Sequence, residues 1–209
     1  MFLKICGITR MDDALHAAEQ GATALGFVFW PRSPRFVEPA VAASIIARLP
    51  AGITPVGLFV NEAVERVQAV VAETGIELVQ LHGDEPASYA APLATPVLRA
   101  ISLDRRSETA VWPPDTTFLV DAADPVRRGG TGAPVDWTAA AALARACRLV
   151  LAGGLTPENV SEAIDIVDPY GVDVSSGVED APGIKNADKV TRFLASARSA
   201  FEQHEHPHR

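Results

Sequence analysis

Apolar and polar positions alternate along the chain as eight repeats of one pattern: a short apolar run, a loop, then a segment with helical spacing. The apolar runs cover residues 1–5, 24–29, 54–60, 77–81, 97–101, 118–120, 148–151 and 172–174. They are continuous rather than alternating, as in strands that are buried on both faces. Helical spacing follows at 11–20, 39–49, 61–74, 85–91, 136–147, 157–167 and 187–201. Pro39 suits a first helical turn, Asn61 an N-cap, and Gly75 the position just past a helix end. Behind the fifth run Trp112-Pro113-Pro114 breaks the pattern, and only a weak helix is expected there.

Eight strand-then-helix units with no linker or low-complexity tract predict a single-domain (β/α)8 TIM barrel over residues 1–202. The segment 203–209, with three of the five histidines, reads as a frayed tail. At 209 residues the chain is shorter than the ~250 typical of this fold, so its loops must be compact.

Composition narrows the setting. Apolar residues make up 48%, enough for a full core, yet no run of eighteen apolar residues offers a membrane span. The polar, glycine-containing stretch 6–13 leaves no apolar signal-peptide region, so none is expected. A net charge of −8 without a basic run argues against nucleic-acid and anionic-membrane partners. Two cysteines make no disulfide framework, and a reducing cytosol is the simplest setting. Arginine outnumbers lysine 15 to 3, which draws attention to Lys4 and Lys185. No His and carboxylate cluster has metal-ligand spacing, so neither metal nor cofactor is expected. Oligomeric state is left open.

In such a barrel the chemistry belongs at the carboxyl ends of the strands. Those ends place Cys6 after the first strand, His82 after the fourth, Asp121 after the sixth and Ser175 after the eighth. Lys4 and Cys6, Gln80 and His82, and Asp173 and Ser175 are each two apart and share a face. Arg99 is a charge on an apolar strand, read either as substrate-facing or as the partner of a carboxylate in the barrel lumen. Gly153-Gly154 follows the seventh strand and Ser175-Ser176-Gly177 the eighth. Glycines let the backbone approach an anion, and these two loops are where such barrels commonly hold phosphate. A phosphorylated small molecule is therefore the expected ligand. Gly129-Gly130-Thr131-Gly132 is neither a Walker loop nor a dinucleotide fingerprint, and reads as a lid over the mouth.

Seven motifs follow one another from Lys4 to Lys185. They are Lys4-Ile5-Cys6-Gly7-Ile8-Thr9, Pro31-Arg32-Ser33-Pro34-Arg35-Phe36, Gly57-Leu58-Phe59-Val60-Asn61, Gln80-Leu81-His82-Gly83, Gly129-Gly130-Thr131-Gly132, Leu151-Ala152-Gly153-Gly154-Leu155 and Asp173-Val174-Ser175-Ser176-Gly177-Val178-Glu179. Together they resemble the phosphoribosylanthranilate isomerase family of tryptophan biosynthesis. The resemblance implies a (β/α)8 barrel and an Amadori rearrangement of N-(5-phosphoribosyl)anthranilate to the 1-deoxyribulose 5-phosphate. It assigns the general base to Cys6 and the general acid to Asp121. It also turns Arg35 toward the anthranilate carboxylate and sets Asp173 near the sugar hydroxyls.

An ordinary thiol titrates near ~8.5 and an ordinary aspartate near ~3.9, so each is in the wrong form at neutral pH. Lys4 and a nearby helix start are expected to lower Cys6, and burial to raise Asp121. Two alternatives stand beside this reading. One is a Schiff-base phosphosugar aldolase with Lys4 as nucleophile, the other a phosphosugar-binding barrel without turnover.

Overall fold

The computed structural model describes residues 1–121 and 135–205. Strands β1 (Phe2–Cys6), β2 (Ala24–Val28), β3 (Thr54–Phe59), β4 (Leu78–Leu81), β5 (Val97–Ile101), β6 (Thr117–Val120), β7 (Leu149–Leu151) and β8 (Gly171–Val174) close into one barrel in chain order. All eight neighbouring pairs are parallel. Helices α1 (Met11–Glu19), α2 (Pro39–Ile46), α3 (Val64–Thr74), α4 (Trp137–Ala144), α5 (Val160–Val167) and α6 (Ala187–Glu205) cover the outside. Single-domain (β/α)8 architecture, read from the eight apolar runs, is thus borne out.

Alternation along each strand builds two cores. Outward residues such as Leu3, Ile5, Phe27 and Phe118 join helix residues such as Val67, Ile164 and Phe193 in the main apolar layer. Inward residues Leu98, Ala100, Leu119, Val150 and Ala152 fill the lumen. Cys6, Val28 and Leu58 form a third cluster on the side of β1, β2 and β3. The lumen is packed, as expected for this fold, and side chains that must react are left to its upper rim.

Where the chain departs from regular helix, polar side chains have taken over the backbone. Asn61 is not an N-cap: it adopts φ 50, and its side-chain oxygen accepts from the Asp84 amide at 2.7 Å. Helix α3 therefore starts at Val64, two residues later than an Asn61 cap would give, with Ala63 in the N-cap position and no side-chain cap. The expected helix at 85–91 is a 3-10 turn over Ala87–Ala90, because the Glu85 carboxylate accepts from the amides of Asn61 and Gly83. After β5 the chain makes 3-10 turns over Leu103–Val111, in keeping with the weak helical signal there. Asp136, expected as the first residue of its helix, is instead the N-cap of α4 and accepts from the Ala139 amide. Helix α5 starts only at Val160, not Pro157. Helix α6 continues to Glu205, into the segment read as a frayed tail.

Two further strands follow β8. The antiparallel pair β9 (Glu179–Ala181) and β10 (Ile184–Lys185) makes a small hairpin beside the barrel mouth. The apolar pattern gave no sign of it.

Candidate active site

The ends of β1 and β8 lie side by side, with Lys4 opposite Asp173 in the ladder. Both side chains point inward, and Lys4 Nζ donates to Asp173 Oδ1 at 3.0 Å. Lys4 is fully buried and Asp173 nearly so. Burial pulls the Lys4 ammonium down, but Asp173 and the Cys6 sulfur outweigh it and its pKa ends above the ordinary value. Lys4 thus stays charged.

Cys6 is a free, buried thiol. Its pKa moves up, not down as Lys4 alone would suggest. Desolvation is the larger influence, and Asp173 adds to it, while Lys4 and Lys185 act in the opposite direction. The expected lowering overlooked a carboxylate that the sequence holds 169 positions from Lys4.

Across the mouth, Gln80 Nε2 contacts His82 Nδ1 at 2.9 Å, and His82 Nε2 lies 3.7 Å from Asp121 Oδ2. If Gln80 donates to Nδ1, the proton of a neutral imidazole sits on Nε2, facing Asp121. The Gln80 side-chain oxygen is buried without a hydrogen-bond partner among the described residues. Such an orphan acceptor in a lumen marks room for a donor from outside.

Between these two sides runs a cleft lined by Asp121, Asp173, Gly153, Gly154, Ser175, Ser176 and Gly177. Gly153 and Gly154 adopt φ 80 and 69, backbone positions that L side chains avoid. Asn159 fixes this turn, accepting from the Thr156 amide and donating to the Gly154 carbonyl. Gly177 is pressed on the neighbouring loop: a Cβ there would meet the Leu155 carbonyl oxygen at 1.9 Å. Ser175 Oγ is buried and has no hydrogen-bond partner among the described residues. Two backbone turns and an unpartnered hydroxyl around one cleft can receive an oxyanion.

Arg35 reaches the same rim from the loop after β2, but it is engaged. Its Nε lies 2.9 and 3.1 Å from the two Glu179 oxygens, and its Nη2 2.6 Å from Oε2. Nη1 makes none of these contacts. Glu179 on β9 also accepts from Lys185 Nζ at 2.8 Å. Neither Glu179 nor Lys185 was assigned a role from the sequence, although Glu179 closes the last motif and Lys185 stood out as one of three lysines.

Arg99 does not belong to the site. On β5 the inward residues are Leu98 and Ala100, so Arg99 faces the helix side. There its Nη1 donates to Glu85 at 2.8 Å and its Nη2 to the Gly83 carbonyl at 3.1 Å. Its guanidinium lies 5.4 Å from the Trp112 ring centre. The carboxylate that pairs with it is outside the lumen, contrary to both sequence readings. The expected lid, Gly129-Gly130-Thr131-Gly132, lies outside the described residues. No helix among the described residues is long and apolar enough to cross a membrane.

A closed (β/α)8 barrel with a cleft between the strand ends on its carboxyl rim has the architecture of the barrel enzymes. Comparison with known proteins makes this specific. The family model for N-(5'-phosphoribosyl)anthranilate isomerase matches residues 3–196, and the chain belongs to that family. The isomerase of Trichlorobacter lovleyi is 51% identical over 204 residues, covering 95% of this chain and 98% of that one. The crystal structure of the Thermotoga maritima isomerase superposes with a TM-score of 0.88 at 40% identity, covering 95% of this chain and 99% of that one. A further isomerase structure, in complex with reduced 1-(o-carboxyphenylamino)-1-deoxyribulose 5-phosphate, gives 0.85 at 39% identity with the same coverage.

Proposed function

We propose that this chain isomerises N-(5'-phosphoribosyl)anthranilate in tryptophan biosynthesis, with Cys6 as general base and Asp121 as general acid. The observation that carries the assignment is one of placement. Cys6 ends β1 and Asp121 follows β6, and the strands between them around the closed barrel, β7 and β8, carry the two loops of the cleft. A phosphate held there leaves the sugar ring between thiol and carboxyl group.

In this reading the phosphate takes the amides of Gly153, Gly154, Ser176 and Gly177 and the Ser175 hydroxyl. Asp121 gives its proton to the ring oxygen, the C1′–oxygen bond breaks, and an iminium forms between C1′ and the anthranilate nitrogen. The Cys6 thiolate then removes the proton from C2′, and the electron pair of that bond neutralises the iminium as an enolamine. Tautomerisation to the ketone completes the rearrangement. Burial raises Cys6 in the free enzyme, so the reactive form is the one that has released the thiol proton to solvent, and the iminium cation beside it favours that thiolate. Arg35 Nη1 is the group proposed to meet the anthranilate carboxylate, with Glu179 holding the rest of the guanidinium in place. Asp173 meets the sugar hydroxyls from its pair with Lys4, and Gln80 and His82 line the Asp121 side.

An aldolase using Lys4 is not favoured, because its amine is charged and held by Asp173, whereas a Schiff-base nucleophile must be neutral. We place the enzyme in a reducing cytosol, which suits two free thiols. The test follows the loss of anthranilate-type fluorescence with substrate generated in situ. Cys6→Ala and Asp121→Asn are each expected to lose about a hundredfold or more in rate, with a product analogue still bound. Wild-type protein that binds phosphosugars without turnover would overturn the reading.

A further inference from the structure

Lys185 is buried at the end of the β9–β10 hairpin, and the proton transfers above leave it unused. Its Nζ contacts three acceptors: the Cys6 carbonyl oxygen at 2.5 Å, Glu179 Oε1 at 2.8 Å and the Ser175 carbonyl oxygen at 3.3 Å. Three acceptors require three N–H donors, which only the ammonium form provides. Burial, with Arg35 adding to it, pulls the Lys185 ammonium below its ordinary value against the opposing pull of Glu179 and Cys6, so the three acceptors are what hold the proton on. The backbone amide of the same residue donates to Asp13 on α1 at 3.1 Å, so the hairpin is fastened at both the side chain and the main chain.

We propose that Lys185 is a positioning residue for the isomerisation: by gathering the Cys6 and Ser175 carbonyls onto one ammonium, it sets the thiol on β1 against the phosphate-holding turn after β8. The proposal rests on Cys6 being the base. Glu179 is the other half of the clamp, dividing one carboxylate between Lys185 and Arg35. A single hairpin thereby registers the groups assigned to base, phosphate and substrate carboxylate.

Packing alone does not account for this arrangement. Apolar side chains in place of the whole Lys185–Glu179–Arg35 cluster could hold the fold as well, since buried ion networks seldom outperform well-packed hydrophobic residues. What an apolar residue cannot supply is charge beside the thiol. The charged groups around Cys6 are Lys4 on β1, Asp173 on β8, Lys185 on β10, and Arg35 and Glu179 at the rim. They comprise three cations and two carboxylates. Removing Lys185 cancels the surplus positive charge and releases the Cys6 carbonyl.

The experiment uses the full chain with Cys147→Ser, so that Cys6 is the only thiol. Lys185→Met, Lys185→Arg and Glu179→Gln are compared by thiolate ultraviolet absorbance against pH, by kcat and KM, and by circular dichroism. Lys185→Met is expected to raise the Cys6 midpoint by about one pH unit and to lower kcat/KM about tenfold or more, chiefly through kcat. Lys185→Arg, which keeps the charge, is expected to restore the midpoint but only part of kcat. A Lys185→Met enzyme with the wild-type midpoint and kcat/KM within about twofold of wild type overturns the proposal.

Should Lys185→Met fail to fold, Glu179→Gln decides the matter, because it keeps the ammonium. Its Cys6 midpoint is expected to fall and its KM to rise as Arg35 loses its anchor, and no change in either overturns the clamp. If Lys185→Met shifts the midpoint while Cys6→Ala works at the wild-type rate, the base assignment has failed and the catalytic role of Lys185 fails with it. The thiol titration tells that failure from one of the clamp itself.

Discussion

Arg99 shows how much a single residue position can conceal. On a strand of alternating character, a charged residue would declare its face by parity. Strand β5 is apolar on both faces, so Val97-Leu98-Arg99-Ala100-Ile101 carries no internal sign of which side is the lumen. Only packing settles it, and Arg99 turns outward to Glu85. Replacing it with leucine removes one half of a buried pair and leaves the other charge without its partner. Arg99→Leu is expected to lose ~3–5 kcal/mol of stability in denaturant unfolding, with kcat of the folded enzyme at low temperature near wild type. A large fall in kcat at unchanged stability would return Arg99 to the substrate. Cys6 was hidden differently. Its neighbour Lys4 is visible in sequence, but the direction of its pKa follows from burial and from Asp173 on the last barrel strand.

At the scale of elements, the eight strands were legible because apolar runs of strand length recur with turn residues between them. The glycine loops after β7 and β8 were legible for a similar reason, since the positive φ of Gly153 and Gly154 and the close approach of Gly177 to Leu155 leave little room for a side chain. The β9–β10 hairpin was not: strands of three and two residues leave no periodicity to detect. Its contribution lies in Glu179 and Lys185, whose partners Arg35 and Cys6 are far away in the chain. The loops after β7 and β8 also offer a direct test of the cleft. Gly177→Ala would drive a methyl group into the Leu155 carbonyl, forcing the two turns apart. KM for the phosphorylated substrate is expected to rise about tenfold or more, with a smaller change in kcat. An unchanged KM would mean that the phosphate binds elsewhere.

For the whole molecule, the charge network at the rim ties catalysis to stability. Burial raises the Glu179 carboxyl, but Arg35 and Lys185 outweigh it, and its folded pKa lies below the ordinary range. A lowered carboxylate stabilises the fold at pH above its unfolded pKa, and that contribution is lost as pH falls through the folded value. Glu179→Gln is therefore expected to melt below wild type at neutral pH, with the gap closing at acid pH below about 4. Equal gaps at both pH values would show that the carboxylate charge is not what matters.

The closure of β1 against β8 also governs when this protein can begin to work. Of the barrel strands β1 is the first to be made, carrying Lys4 and Cys6 with an edge unpaired. Its partner Asp173 follows 169 residues later and Lys185 later still. The thiol therefore waits through the synthesis of the other seven barrel strands for the groups that orient it, and an exposed edge strand for that interval invites wrong pairing. Reactivity arrives only once β8 and the β9–β10 hairpin have been made, so a chain terminated before them is expected to be inert rather than partly active. The same order makes joining the first strand to the last, the contact of greatest sequence separation in the barrel, the step expected to limit how fast the newborn enzyme matures.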